Sequence, residues 1–224
     1  MAIIHHTTVK PTKLELLTPW LPSRPWYRGG AGGPQFAKAG GFRLDDPRGE
    51  VGIEFMVAAD TSGSEPVNYL VPLTYRSAPL DGADHALIGT MEHGVLGQRW
   101  AYDGCHDPVM TAQLLALIEG RAEPQAQSVS DTPDREVTRS FTGESPARTD
   151  ITAVAATPSD DPECTEVPLA DGRFLRLQRV LRPAPGGGLR PPQGAAGHVC
   201  GPWQMPDGTR AEGLFAVLHE GPHA

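Results

Sequence analysis

Two stretches decide the fold: EVGIEFMV at residues 50–57 and VNYLVPLTYR at residues 67–76. In both, apolar side chains recur at every second position, which places them on one face of a β-strand. The apolar face of the first stretch is formed by Val51, Ile53, Phe55 and Val57. With Gly52, Glu54 and Met56 on the opposite face, a half-buried strand is predicted. The second stretch, rich in β-branched and aromatic residues, is its expected partner strand.

Working outward from this pair, a strand over Ile3–Lys10 and a strand over Gly40–Leu44 are predicted before it, and strands over 87–90 and 95–102 after it. Two helices are also predicted. The first begins after the N-cap Thr12 and ends at Pro19. The second has Asp107 as its N-cap, Pro108 at its first position and Gly120 after its end. Its apolar stripe consists of Met110, Leu114, Leu117 and Ile118.

Residues 122–135 are rich in Pro, Gln, Ser, Asp and Thr, a composition typical of a linker. We therefore predict a first domain over 1–121, a linker over 122–135 and a mainly β module over 136–224, which together give an α+β fold. The strands predicted in the module are Glu136–Phe141, Asp150–Thr157, Cys164–Ala170, Arg173–Leu181, His198–Met205 and Gly213–His219. Two Asp-Gly pairs, at 171–172 and 207–208, predict hairpin turns, and residues 183–197 predict a long loop.

Composition excludes several classes of function. The formal charge of −8 and the absence of a basic cluster argue against a nucleic-acid partner. The three widely spaced cysteines favour a reducing compartment, so we expect a cytoplasmic protein. The longest apolar run, 114–118, is far too short to cross a membrane, and the first residues do not resemble an export signal.

The sequence predicts no catalytic residue, no cofactor and no metal site. His5 and His6 point to opposite faces of a strand, and neither His198 with Cys200 nor the run 105–107 has the paired spacing of a zinc site. A G-x-S-x-G motif does not occur. The glycines at 29–33 lack the phosphate-binding pattern that ends in Lys and Ser or Thr. A metal-dependent enzyme that relies on His198 or Cys200 is kept only as a third hypothesis, because the metal-site spacing is absent.

One group of side chains is a candidate binding surface, because tryptophan and arginine are enriched in interaction hot spots and tryptophan stacks on sugars. Its members are Trp20, Arg24, Trp26, Tyr27, Tyr75 and Arg76. The alternative interpretation is structural: a loop whose aromatic residues cover one end of the sheet core.

The W-L…R-x-W-Y block at 20–27 and the Y-x-V-P-L-x-Y block at 69–75, followed by Tyr102-Asp103-Gly104 before the second helix, resemble the N-terminal cap of bacterial maltokinases. The resemblance extends from about Ile4 to Arg121. It implies a curved antiparallel sheet with two helices, somewhat cystatin-like. Maltokinases phosphorylate maltose with ATP and supply α-glucan synthesis. The resemblance is to a cap that stands alone, a kind of protein found chiefly in actinobacteria.

The two motifs that carry the kinase chemistry, H-G-D-x-H and D-F-[ED], do not occur in these 224 residues. The resemblance therefore implies a non-catalytic accessory protein linked to α-glucan metabolism, that is, to maltose 1-phosphate, glycogen or trehalose. Its expected partner is a sugar kinase or a glucan-metabolising enzyme. The alternative is a carbohydrate or small-molecule binding module that uses Trp26, Tyr27 and Tyr75. Pairing of a sheet edge in a dimer is left open.

Overall fold

A computed structural model describes residues 8–30, 32–129, 131–143, 156–184 and 192–221. These residues form two α-helices and one large antiparallel sheet. The helices are α1 (Lys13–Trp20) and α2 (Pro108–Ile118). The strands are β1 (Val9–Lys10), β2 (Phe36–Leu44), β3 (Gly52–Asp60), β4 (Val67–Arg76), β5 (Leu87–His93), β6 (Gly97–Asp103), β7 (Thr138–Phe141), β8 (Ser159–Asp160), β9 (Cys164–Pro168), β10 (Phe174–Gln178), β11 (Val180–Leu181), β12 (Ala195–Gln204) and β13 (Arg210–His219).

The predicted central pair is confirmed, since β3 pairs antiparallel with β4 over the whole length of β3. The prediction that β3 is half-buried is wrong, because both of its faces are covered. Ile53, Phe55 and their neighbours on that face pack into a large core with α2, whereas Met56 on the other face packs against α1. Even Glu54 is only 3% exposed. The sheet therefore separates two apolar layers.

The predicted helix α2 is confirmed: the Asp107 side chain accepts a hydrogen bond from the Val109 N–H, and Gly120 follows the helix with a positive φ of 80°. Helix α1 begins after Thr12, as predicted, but it continues through Pro19 to Trp20. Proline removes one backbone hydrogen bond from the last turn. Burial of Trp20 and of Leu17 in the outer layer offsets that loss.

A short pairing closes the sheet on itself. The strand order runs β1-β5-β6-β4-β3-β2-β12-β13-β10-β9-β8, and β11, which continues β10 after one residue, pairs with β4 at Tyr69 and Asn68. The strands β4, β3, β2, β12, β13 and β10–β11 therefore form a ring. Inside it Phe42 stacks between Phe55 and Phe215, at centroid distances of 4.5 Å and 6.1 Å.

The sheet and its core continue across the predicted domain boundary. Residues 122–135 also pair with the sheet, since Arg43 and Gln125 exchange two backbone hydrogen bonds of 2.9 Å. A shared sheet neither requires nor excludes separate evolutionary units, so the division into 1–121, 122–135 and 136–224 stays a prediction.

The later strands follow the predicted order with shifted ends. The two Asp-Gly turns are confirmed, with positive φ at Gly172 and Gly208 and hydrogen bonds that close both turns. Strand β12 begins at Ala195, inside the predicted loop 183–197, of which residues 185–191 lie outside the described residues. Most of the predicted strand Asp150–Thr157 and residues 3–7 of the first predicted strand also lie outside them.

The helices contribute 8 and 11 residues, so the described part of the chain is mostly β. The predicted two helices are present, but the α+β description is only roughly met. Within the described ranges, neither helix has the length and apolar character needed to cross a membrane.

Candidate functional site

The structure places the predicted aromatic residues largely inside the protein. Trp26 is fully buried, with its ring 5.9 Å from that of Trp20 and 5.8 Å from that of Tyr69. Arg24 lies on the outside of this group, and its guanidinium carbon is 4.9 Å from the Trp20 ring centroid. For Trp26 this placement agrees with the alternative raised from the sequence, in which the aromatic residues cover the core.

Tyr27 supports a loop. Its hydroxyl donates a 3.0 Å hydrogen bond to Asp60, whose carboxylate also accepts the backbone N–H groups of Gln35 and Ser62. Burial and the neighbouring carboxylate raise the pKa of Tyr27. Burial alone would raise the pKa of Asp60, but its hydrogen bonds outweigh burial and the pKa is lowered. Both groups thus hold the β3–β4 connection in place.

Tyr75 and Arg76 direct their polar groups to different partners, as neighbours on a strand must. The Tyr75 hydroxyl donates a 2.8 Å hydrogen bond to Glu54, whereas Arg76 makes two hydrogen bonds of 2.7 Å to Asp107. The structure therefore does not bring the six predicted residues together as one exposed surface. Arg24 is the member whose charged group has no acidic partner among the described residues.

A buried ion pair that the sequence did not predict joins the two parts of the chain. Arg179 is fully buried and donates 2.6 Å hydrogen bonds to Asp103 and to the Thr165 hydroxyl. Its guanidinium carbon lies 5.0 Å from the Trp26 ring centroid. Arg179 stands directly before the apolar pair Val180-Leu181, and a charge at such a position is the signal that could have indicated the ion pair, because a buried charge requires a partner.

The cysteines are poorly suited to nucleophilic chemistry. All three are free and buried. Burial, with the nearby Glu212, raises the pKa of Cys200 to about 12, and burial raises the pKa of Cys105 well above its ordinary value. In the described part of the chain, no third His, Cys, Asp or Glu joins His198 and Cys200 in a metal-binding group.

A cleft of about 260 Å³ lies where β12 changes partner. Along residues 197–200 this strand pairs with β7, whereas it meets β2 at a single position, Trp203 opposite Gly40. The gap between these two pairings forms the cleft. Its floor is apolar and its rim polar; the lining residues are Ala39, Gly40, Gly41, Asp134, Glu136, Val137, Pro202, Trp203, Gln204, Arg210 and Phe215.

The chemistry of the cleft favours a small uncharged ligand rich in hydrogen-bond donors. Two carboxylates, Asp134 and Glu136, stand on the rim, and Arg210 is already paired with Glu136 at 2.6 Å. The sequence signal for this site is the glycine pair at 40–41, since glycine inside a strand often marks a close backbone approach.

The fold defines a mostly β protein built on one antiparallel sheet with two short helices, and the described residues contain no group of three or more His, Cys, Asp or Glu side chains placed to hold a metal ion. Residues 20–107 match the family model of the maltokinase N-terminal cap domain, so this segment is similar to that domain. The resemblance read from the sequence is thereby confirmed, over a shorter range than Ile4–Arg121. A search of curated proteins finds no match to the chain.

Proposed function

We propose that the protein is a non-catalytic accessory component of α-glucan metabolism in the cytoplasm. In this proposal its cap-like sheet, with a cystatin-like curvature, binds a sugar kinase or another enzyme that handles maltose 1-phosphate, glycogen or trehalose. The observation that carries the proposal is the match of residues 20–107 to the maltokinase cap. The absence of the kinase motifs from these 224 residues supports a binding role rather than a catalytic one.

The polar groups inside the matched segment support the same proposal. Glu54, Asp60, Asp103 and Asp107 are buried, and each is engaged in hydrogen bonds that hold strands, turns or α2. A general acid or base needs a group free to exchange a proton with a substrate. These carboxylates are committed to the fold instead.

The first experiment asks whether the purified chain transfers phosphate. It is incubated with ATP and maltose or glucosamine, and ADP formation is followed. We expect no turnover above the protein-free rate. Sugar-dependent ADP formation that scales with the concentration of the chain would refute the non-catalytic assignment.

The second experiment identifies the partner by affinity capture from the native soluble lysate, with mass spectrometry after a moderate salt wash. Specific recovery of a sugar kinase, maltosyltransferase or branching enzyme is the expected result. The most exposed large apolar side chains of the matched segment, Val95 and Leu96 at the β5–β6 turn, are 60% and 45% exposed. The double variant V95D/L96D should therefore lose the partner.

Its matched control is V129D, which changes an equally exposed apolar residue outside the matched segment. Capture that survives V95D/L96D but fails with R24A would move the contact surface to Trp20 and Arg24. Recovery of the chain alone under all conditions would count against the accessory role.

The cleft between β2 and β12 favours a second candidate function, that of a carbohydrate-binding module. An apolar floor with a few polar rim groups is the usual make-up of a small-molecule site. The test is a thermal-shift series with maltose, maltose 1-phosphate, malto-oligosaccharides and trehalose. A ligand at one hundred times its Kd stabilises the folded state by about 2.7 kcal/mol.

Variants D134A and R210A remove rim groups of the cleft, whereas R48A removes an exposed arginine in the β2–β3 turn and serves as the control. Binding in the cleft requires that the first two variants reduce the thermal shift and that R48A does not. No shift with any sugar in the series would argue against this candidate.

A further inference from the structure

His106, which lies in the run 105–107, forms a pair with a second histidine, His85, from a distant part of the chain. The ring nitrogen Nε2 of His85 lies 3.1 Å from Nδ1 of His106, and the two rings meet edge to face with centroids 4.8 Å apart. The residues are 21 positions apart in the chain and come from two separate 3₁₀ turns, Asp84–Ala86 and Gly104–His106. His85 is exposed and His106 is half-buried, so the pair is open to solvent.

We propose that this pair is a binding site for a divalent first-row transition metal such as Cu²⁺, Ni²⁺ or Zn²⁺. Imidazole nitrogen is a preferred ligand of these ions. Two nitrogens bound at about 2.0–2.1 Å to one metal lie about 2.9 Å apart at a right angle and about 3.4 Å apart at the tetrahedral angle. The observed 3.1 Å falls between these values. The separation of the two nitrogens thus matches that of two ligands on one metal, and binding requires the imidazole rings to turn until both lone pairs point at the ion instead of along the hydrogen bond.

Both histidines are held by rigid turns. On the His85 side, Ala83 and Ala86 are buried against Tyr102, whose hydroxyl accepts the Leu80 N–H at 2.9 Å. On the other side, the Asp103 side chain accepts the Cys105 N–H and closes the turn that carries His106. Because these contacts already hold the backbone of both turns, the loop freedom that is lost on metal binding is small.

The site is incomplete by the standard of structural zinc centres, which have four protein ligands. Among the described residues, no third His, Cys, Asp or Glu joins the pair. The remaining positions are therefore left to water or to atoms of a bound molecule, and the metal exchanges with solution. When bound, it connects the turn at 84–86 to the turn that leads into α2.

The test is isothermal titration of the full, untagged chain with CuCl₂, NiCl₂ or ZnCl₂ after treatment with EDTA, and MgCl₂ serves as the hard-cation control. The parent carries H5A/H6A so that the N-terminal histidines do not contribute. We expect one saturable site for the transition metals and none for Mg²⁺. The variants H85A and H106A should each weaken binding at least tenfold, and the matched control H198A should not.

Two further measurements do not depend on the heat of binding. Electron paramagnetic resonance of the Cu²⁺ complex should show two nitrogen ligands in the parent and one at most in H85A. The melting temperature should rise with metal concentration in the parent but not in H85A, as expected for a ligand that binds only the folded state. Equal affinity in the parent and H85A, or no saturable binding by the parent, would overturn the proposal. The result is independent of the accessory function, which requires no metal.

Discussion

At the scale of single residues, Arg179 is the side chain on which the fold depends most visibly. Removing one partner of a buried ion pair typically costs about 3–5 kcal/mol, because the other charge is left without compensation. We expect R179M to lower the free energy of unfolding by this amount, since Asp103 is 3% exposed. Urea denaturation followed by tryptophan fluorescence measures the change.

The control is the double variant R179M/D103N, which removes both charges and keeps a side-chain oxygen that accepts the Cys105 N–H. In this variant no buried charge is left without compensation. The double variant should therefore unfold at a higher urea concentration than R179M alone. If the loss of unfolding free energy in the double variant equalled the sum of the losses in the two single variants, the two side chains would act independently.

Glu54 provides the pH prediction. Burial disfavours its charged form, but Lys13 and the Tyr75 hydroxyl outweigh burial, and the pKa of Glu54 is lowered below its ordinary 4.5. The stabilisation is therefore fully present above pH 4.5 and is lost as the pH falls through the lower folded-state pKa. E54Q should be less stable than the parent at pH 7 by about 1–3 kcal/mol, because buried partners lose a charged acceptor. The difference should narrow at pH 3 in urea titrations, and a constant difference would contradict this explanation.

The burial of some residues was predicted wrongly for one physical reason. An apolar residue at every second position shows which side chains share a face of a strand, but it does not show what covers that face. Glu54 and Trp26 are buried because α1 and residues 20–27 fold over the outer side of β3 and β4. The cleft and the histidine pair depend on contacts between residues distant in sequence, which local patterns do not contain.

At the scale of elements, Asp107 both caps α2 and pairs with Arg76. The cap contributes about 1 kcal/mol, and hydrogen bonds to a charged group contribute about 1.5–3 kcal/mol. We expect D107A to cost about 2–4 kcal/mol in urea denaturation. D107N keeps a capping side chain but loses the charge, so its loss should be smaller. Equal losses for the two variants would assign the whole effect to the ion pair.

A substitution at Gly41 tests how closely the backbones of β2 and β3 approach each other. Its φ is +122°, and a Cβ atom there would lie 2.0 Å from the backbone oxygen of Phe55. G41A should therefore cost well over the 1–2 kcal/mol or so that a left-handed L-residue costs by itself. Gly49, with φ +69° and open space around it, is the matched control, and G49A should show only that smaller cost. If thermal unfolding gave equal losses for both variants, the clash would be refuted.

The elements that were predicted well are those whose signals are local. Thr12, Asp107 and Gly120 mark helix ends through hydrogen bonds within a few residues, and the Asp-Gly turns need only four residues. The pairing of 122–135 with β2 was not predictable in this way. A polar segment resembles a linker even where its backbone groups join a sheet.

At the scale of the whole molecule, the shared sheet predicts that neither predicted domain is stable alone. A fragment of residues 1–121 lacks β12, β13 and β10, and would expose the core around Phe42 and Phe55. We expect it to bind the dye ANS and to melt without a cooperative transition, as followed by circular dichroism. Addition of a fragment covering residues 122–224 should restore the transition. A cooperative melt of 1–121 alone would establish it as an independent domain.

The closing pair of the ring, β4 with β11, also sets an order of events during synthesis. Tyr69 and Val180 are partners although about 110 residues separate them. At translation rates of about 5–20 residues per second, the edge of β4 leaves the ribosome roughly 5–20 seconds before its partner is made. Until then, unpaired backbone groups at Asn68 and Tyr69 are available to any other strand. The nascent chain is therefore vulnerable to misassembly at the seam that later joins its two parts.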